Sequence, residues 1–254
     1  MKAQLMILLS LLLVTPQASA QDPGTAVATS MSLLRKLKRQ ELTMRERDAL
    51  AKFSADALAS QLAAPADRLA FWLNLYNAAA QLRYAQDPAR ARDQDWLFTK
   101  RFLVVAGEEL SLDDIEHGLL RRRSKWGGGY LPRFFPSRFE RLLAVETLEP
   151  RLHFALNCLA ESCPPIEVYR PADLERQLAR VERWYLTQEV RYDPATKVAH
   201  LPRLFLWFHG DFEGRAGIQA RLARLGLVPD DRRIEYRYKD YDWSTNAAKW
   251  TREE

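Results

Sequence analysis

The sequence predicts an α+β fold, a mostly α-helical single domain with small antiparallel β-hairpins. Three observations lead there. Apolar residues recur at helical spacing among many charges, as in Leu34, Leu37, Leu42, Leu50, Phe53, Leu58 and Leu62. Two short β-prone stretches fold about turn residues, one at 102–112 and one at 189–202. No internal repeat or low-complexity tract interrupts them.

Residues 1–20, MKAQLMILLSLLLVTPQASA, have one Lys, an apolar run from Leu5 to Val14 and the small residues Ala18-Ser19-Ala20. That is the pattern of a secretory signal peptide cleaved after Ala20, so the expected location is periplasmic or secreted. The run is shorter than the roughly 20 residues a bilayer span needs, and no later stretch is long and apolar enough to cross a membrane. Residues 21–64 are expected to hold a flexible entry segment (21–30) and amphipathic helices, and 65–250 the main domain. Residues 68–85, RLAFWLNLYNAAAQLRYA, are apolar on nearly all sides, which predicts a central helix with Asp67 as its cap. FLVVAGEELSL reads as a hairpin turning at Gly107. SLDDIEHGLLRRR opens a helix, with Ser111 as N-cap and Asp114 at the capping-box position.

Three glycines and two prolines make 126–136 a loop. Helix resumes near 138–145 and at 150–159, with Pro150 at the first helical position, and an amphipathic helix covers 171–186. After the second hairpin come short helices within RLFLWFHGDF and IQARLARLG, the latter closed by Gly226. RIEYRYKDYDWSTN alternates like an edge strand.

A chain of 254 residues can bury a sizeable core as one domain. Its net charge of +5 permits contact with anionic surfaces without demanding nucleic acid. Two cysteines are too few for a disulfide scaffold. In an oxidising compartment a Cys158–Cys163 bridge stays open, although so short a loop needs unusual local geometry. Gly127-Gly128-Gly129 lacks the strand, helix and Lys of a phosphate loop.

Four stretches, FWLNLYNA (71–78), LSLDDIEHGLLR (110–121), RLHFALNCLAESCPPI (151–166) and YDWSTN (241–246), together resemble the motifs of the domain of unknown function 547 family (DUF547) in that family's order. The resemblance runs from about Arg68 to Asn246. It implies a shared fold and a shared set of polar positions, here Arg68, Asn74, Asn77, Glu116, His117, Arg121, His153, Cys163 and Asp242, and no established reaction. Leu159-Ala160-Glu161 departs slightly from the family pattern and leaves the Ser-Cys-Pro-Pro turn intact.

Asn74 and Asn77, three apart, share a helix face, and buried amides need partners: neighbouring backbone or substrate. Glu116 and His117 are adjacent, so their side chains diverge, and Glu116 and Arg121 fall short of an ideal pair. His117 reads as a general base or a core imidazole. His153 and Asn157 share a face at i and i+4. In a regular helix Cys158 points elsewhere and reads as a buried, inert thiol.

Cys163 follows Ser162 and precedes Pro164-Pro165 on a stiff turn. A thiol so held beside an imidazole meets the needs of a cysteine nucleophile, with His117 or His153 as base and Glu116, Asn157 or Asp242 as orienter. Packing, or half of a bridge, are the other readings of Cys163. The expected catalytic residues are Cys163, His117, His153 and Glu116; the expected binding residues are Asn74, Asn77, Arg121, Asn157 and Asp242. The spacing of His117, His153, Cys158 and Cys163 matches no compact zinc motif, and no metal or cofactor is expected. His200 and His209 lie in ordinary contexts.

Residues 121–141 carry seven basic residues against the single acid Glu140, with five aromatics interleaved. Arg121, Arg122, Arg123 and Lys125 then offer an anionic partner a surface. In the plainer reading Phe134, Phe135 and Phe139 anchor the loop while the arginines stay wet. The expected function is a thiol-dependent hydrolase or acyl transferase of the cell envelope. The alternative is a non-catalytic envelope binding module using the 121–141 surface, without specific nucleic-acid binding.

Overall fold

The structure, a computed structural model, describes residues 25–231 and 233–251; the expected signal peptide lies outside the described residues. Helices α1 (Ala26–Lys38), α2 (Met44–Lys52) and α3 (Ala55–Gln61) precede the long central helix α4 (Pro65–Gln86). α4 buries every residue from Ala70 to Gln81, as its all-round apolar sequence requires. The expected flexible segment is already helical from Ala26. The Thr25 hydroxyl caps α1 by accepting the Ala28 N–H at 3.2 Å, and the Ala26 N–H donates to Gln61 Oε1 at 2.8 Å. Small Ala26 and Ser30 are fully buried, which brings α1 close against α4. No described helix is long and apolar enough to cross a membrane.

Helix α5 (Gln94–Thr99) leads into the first hairpin, β1 (Leu103–Val105) and β2 (Glu108–Leu110), paired antiparallel with Val105 opposite Glu108. Ala106 and Gly107 turn it at φ +49° and +79°, the primed geometry that matches strand twist. Ser111 and Asp114 then cap one another: the Ser111 N–H donates to Asp114 Oδ2 at 3.0 Å and the Asp114 N–H to Ser111 Oγ at 3.1 Å. The helix they open is not α. Asp114–Leu120 is a π-helical turn, closed by the Arg121 N–H on the Glu116 carbonyl at 2.8 Å. Helix α6 (Arg138–Leu143) begins with a capping box of Ser137 and Glu140.

Residues 150–159 do not form the expected helix. Pro150–Phe154 make a tight 3₁₀ turn and the chain then runs irregularly. The cause lies on α4. Asn77 Oδ1 accepts the Asn157 N–H at 2.9 Å and its amide donates to the Ala155 carbonyl at 2.9 Å, replacing intrahelical partners. Asn74 clamps Tyr169 in the same way, at 2.8 and 2.9 Å, and Gln81 donates to the Ala247 carbonyl at 3.1 Å. Spacings of three and four put these amides on one face of α4.

Helix α7 (Leu174–Glu189), strands β3 (Arg191–Asp193) and β4 (Val198–Leu201), helices α8 (Leu204–Trp207) and α9 (Gly214–Arg224) and strand β5 (Glu235–Tyr238) complete the chain. β3 and β4 form the second expected hairpin, and β5 joins β4 in parallel as an edge strand. Buried apolar residues gather in two clusters. One surrounds α1–α4, the first hairpin and α6; the other joins Phe154, Tyr185 and Leu186 to β4, α8 and α9. A cleft opens where they meet.

Asn77→Ala leaves two buried backbone groups without partners, at roughly 1–3 kcal/mol each, so it is expected to cost about 4 kcal/mol. Gln81→Ala, losing one bond, is expected to cost no more than about half of that. Urea denaturation of both variants checks the order.

Candidate functional site

The widened turn after Asp114 stacks Asp113, His117 and Arg121 over one another. Arg121 Nη1 lies 2.7 Å from His117 Nδ1, and His117 Nε2 faces Asp113 Oδ1 at 3.6 Å. A guanidinium has no lone pair to offer, so His117 Nδ1 is the acceptor and Nε2 carries the hydrogen. Arg121 is 1% exposed; its Nε donates to Asp211 Oδ2 at 2.6 Å, and its guanidinium lies 4.6 Å from the Phe208 ring centre. His153 Nε2 donates to the same Asp211 oxygen at 2.8 Å, with its ring stacked on Phe208 at 3.9 Å. That bond leaves Nδ1 as the lone-pair nitrogen of a neutral His153.

Asp211 is reached through the glycine-rich loop. Gly129 has φ +88°, and a Cβ there would stand 2.6 Å from Asp211 Oδ1. The Gly210 N–H also donates to the Gly128 carbonyl at 2.7 Å.

Burial governs the ionisation of this cluster. It pushes His117 down to about 2, helped by the charge of Arg121. It pushes His153 down to about 4 against the pull of Asp211. It raises Glu116 to about 7, although Arg121 opposes it and the Tyr76 hydroxyl donates to Glu116 Oε2 at 3.1 Å. Burial also raises Asp113, despite Lys125 Nζ at 2.6 Å. Both imidazoles are therefore neutral, and Glu116 shares its proton near neutrality.

The cysteines exchange the positions expected of them. Unwinding after Phe154 turns half-buried Cys158 into the wall of the cleft, whereas Cys163 is buried. Their sulfurs are 2.7 Å apart, and the Tyr241 hydroxyl lies 3.1 Å from Cys163 Sγ and 3.6 Å from Cys158 Sγ. The Cys158 N–H points at Cys163 Sγ at 3.1 Å. Burial resists ionisation of Cys163, but hydrogen bonds from Cys158 and Tyr241 outweigh it and lower its pKa. The hydrogen bond with Cys163, and then burial, raise Cys158. The pair thus holds its first negative charge on Cys163. No imidazole among the described residues hydrogen-bonds either sulfur; the partners are Cys158, Cys163 and Tyr241.

Cys158, His117, His153, Glu116 and Tyr76 line one cavity of about 420 Å³. Trp207, Tyr241 and Trp243, with ring centres 4.7–5.9 Å apart, form an aromatic wall. Asn74, Asn77 and Asn157 are fully buried and spend their amides on backbone groups behind this cavity. Asp242 is exposed, and Oδ1 accepts the Ser244 N–H at 2.8 Å. Arg68 donates to the carbonyls of Leu62 and Ala144. Among the described residues no group of three His, Cys, Asp or Glu side chains could hold a metal ion.

The basic loop also differs from expectation. Arg121 is buried in the site, Arg122 donates to the carbonyls of Val145 and Glu146, and Lys125 pairs with Asp113. Of the three expected anchors only Phe139 is buried; Phe134 and Phe135 face outward, because the loop is held instead by Arg133 on Glu140 and by Tyr130 on His209. Tyr76 and Tyr241, which line the cavity, and Asp211, which bonds Arg121 and His153, are missing from the expected set. Asp211 stands out in the sequence only as an acid among aromatics in FHGDF, and Tyr241 adjoins the expected Asp242.

The neutral imidazoles take protons on unfolding below about pH 6.5, so the stability they confer is complete above that value and is lost as pH falls toward 4 and below. Glu116 acts oppositely: the folded chain keeps its proton up to about 7 and the unfolded chain releases it near 4.5, so its contribution fades as pH rises through that window. Each imidazole contributes a slope of about 1.4 kcal/mol per pH unit where only the unfolded chain is protonated, and His117→Gln is expected to lessen the loss of stability on acidification below pH 6.5, read by denaturant titration at several pH values.

A family model described as protein of unknown function, DUF547, matches residues 59–186. No curated protein and no solved structure matches the chain.

Proposed function

The chain belongs to the DUF547 family, and we propose that it is an exported, thiol-dependent hydrolase or acyl transferase of the cell envelope. The observation that carries this reading is a paired thiol opening into a cavity that also holds two neutral imidazoles and a carboxyl poised near neutrality. Export rests on the signal pattern of residues 1–20.

Cys158 is the nucleophile and Cys163 its immediate base. The Cys163 thiolate takes the Cys158 proton as Cys158 Sγ attacks an acyl carbon and the carbonyl electron pair moves onto oxygen. The Nε2–H of His117, locked in that tautomer by Arg121, donates to the oxyanion. Protonated Glu116 delivers its proton to the leaving group, and a thioester on Cys158 results. His153 Nδ1, its ring fixed by Asp211, takes a proton from the incoming water or acceptor, whose oxygen attacks the thioester. Cys158 leaves as thiolate and recovers its proton from Cys163; the His153 proton returns through solvent to Glu116. The aromatic wall suits a flat or apolar acyl portion.

A second reading rests on segment 121–141, in which Trp126 is 75% and Phe135 98% exposed and Arg123 and Arg138 make no ion pair among the described residues. Here the chain is a binding module for anionic envelope surfaces. Phe135→Ser combined with Arg123→Glu is expected to weaken salt-sensitive binding to anionic vesicles; unchanged binding counts against this reading.

For the enzyme reading, Cys158→Ser is expected to abolish hydrolysis of a p-nitrophenyl ester. His153→Gln is expected to lower it about 100-fold. Cys163→Ser is expected to retain weak activity with its pH profile moved upward, since the thiolate holder is gone. Full activity in Cys158→Ser would sink the proposal. Mild oxidation is expected to join the two sulfurs, removing both thiols from an Ellman titration and two hydrogens by mass spectrometry, with activity restored by dithiothreitol. Cell fractionation is expected to place the chain, shortened by residues 1–20, outside the cytoplasm.

A further inference from the structure

A second concave region lies between the last turn of α1, the irregular segment 166–170 and the first half of α7. It encloses about 310 Å³, and five cations line it: Arg35, Lys38, Arg170, Arg176 and Arg180. Among the described residues two carboxylates meet three of them, and Lys38 donates to the Thr251 carbonyl at 3.4 Å. Glu167 binds Arg180, and Asp173 bridges Arg170 and Arg176 at 2.7 and 2.6 Å. Arg35 is half-buried and makes no ion pair among the described residues. Arg35, Arg170 and Arg176 against the single carboxylate of Asp173 leave a positive excess on this wall, and a recess focuses it.

The back wall is rigid. Gln177, 2% exposed, accepts the Arg170 N–H at 2.8 Å and donates to Glu167 Oε1 at 2.6 Å and to the Val168 carbonyl at 2.8 Å. Guanidinium forks on such a frame match the oxygens of a phosphoryl group.

The recess does not end there. A second cavity of about 560 Å³ shares Arg180, Trp250 and Thr251 with it and continues along Pro165, Val181 and Trp184. Trp184 is 45% exposed, a large apolar side chain held at the rim of this extension. One wall therefore selects anionic oxygen and the adjoining wall selects apolar surface. We propose that this composite groove binds a phosphate-bearing amphiphile, its head among Arg35, Arg170 and Arg176 and its apolar part against Trp184 and Trp250. The site lies apart from the thiol cavity and stands independently of the reaction proposed there.

The test titrates the chain from Gln21 onward with three probes, by calorimetry and tryptophan fluorescence. They are inorganic pyrophosphate, monomeric dioctanoyl phosphatidic acid, and phosphatidylcholine vesicles with or without phosphatidic acid. The wild type is expected to bind monomeric phosphatidic acid more tightly than pyrophosphate. Arg35→Ala with Arg176→Ala is expected to weaken both by about tenfold or more. Trp184→Ala is expected to weaken the amphiphile and leave pyrophosphate unchanged. Binding of the monomer identifies a single extracted molecule, and binding of charged vesicles alone, with the same variant dependence, identifies a headgroup in its membrane; both support the site. Wild-type affinity in the double Arg variant, equal loss of pyrophosphate and amphiphile in Trp184→Ala, or binding of none of the probes overturns it. Both variants change side chains at the surface, and thermal melting and circular dichroism confirm that each is folded.

Discussion

The buried carboxylate of Asp211 is the constraint on which the cleft depends. One of its oxygens accepts from both Arg121 and His153, and all three side chains are almost wholly removed from water. An ion pair in such a place repays its desolvation only with close geometry and further hydrogen bonds, and losing one partner strands the other charge. The bonds here run in series. Asp211 fixes Arg121, Arg121 fixes the tautomer of His117, and Asp211 also decides which nitrogen of His153 is left with its lone pair. Because Phe212, next in the chain, packs in the second apolar cluster while the π-helical turn packs in the first, the same carboxylate joins the two halves of the cleft.

Asp211 and Glu116 show how hydrogen-bond donors decide the charge of a buried acid. Burial raises both. At Asp211 the hydrogen bonds from His153 and Arg121 outweigh it, and the group stays ionised. At Glu116 burial prevails, because among the described residues only the Tyr76 phenol hydrogen-bonds its carboxyl and Arg121 acts at a distance, so the pKa rises to about 7. Two acids in one cluster are thereby given different states: one holds charge and the other holds a proton.

Local regularity is broken twice, and each break serves the cleft. The π turn brings His117 and Arg121 into contact. The unwinding of 155–159 turns Cys158 outward, and α4 enforces it through Asn77, whose amide takes over the backbone partners a helix would have used. Leu159 at φ +71° marks where the chain is bent away from helical geometry. The bend also brings Cys163 back beneath Cys158 and against Tyr241, some 80 residues away in sequence, and the sulfur pair becomes one ionising unit.

The sequence by itself determined those features that depend on neighbours a few residues apart. Both hairpins, the mutual cap of Ser111 and Asp114, the buried central helix α4 and the need of its amides for partners all follow from short-range pattern and the cost of unsatisfied buried polar groups. Three of the residues it singled out, Glu116, His117 and His153, line the cavity. What only the tertiary structure decided is how those groups are joined. Asp211 meets Arg121 across ninety positions and Tyr241 meets Cys163 across seventy-eight, distances over which residue spacing holds no information. The choice between Cys158 and Cys163 turned the same way: helical periodicity buried the first, but hydrogen bonds from a distant helix outweighed local preference and turned it into the cleft.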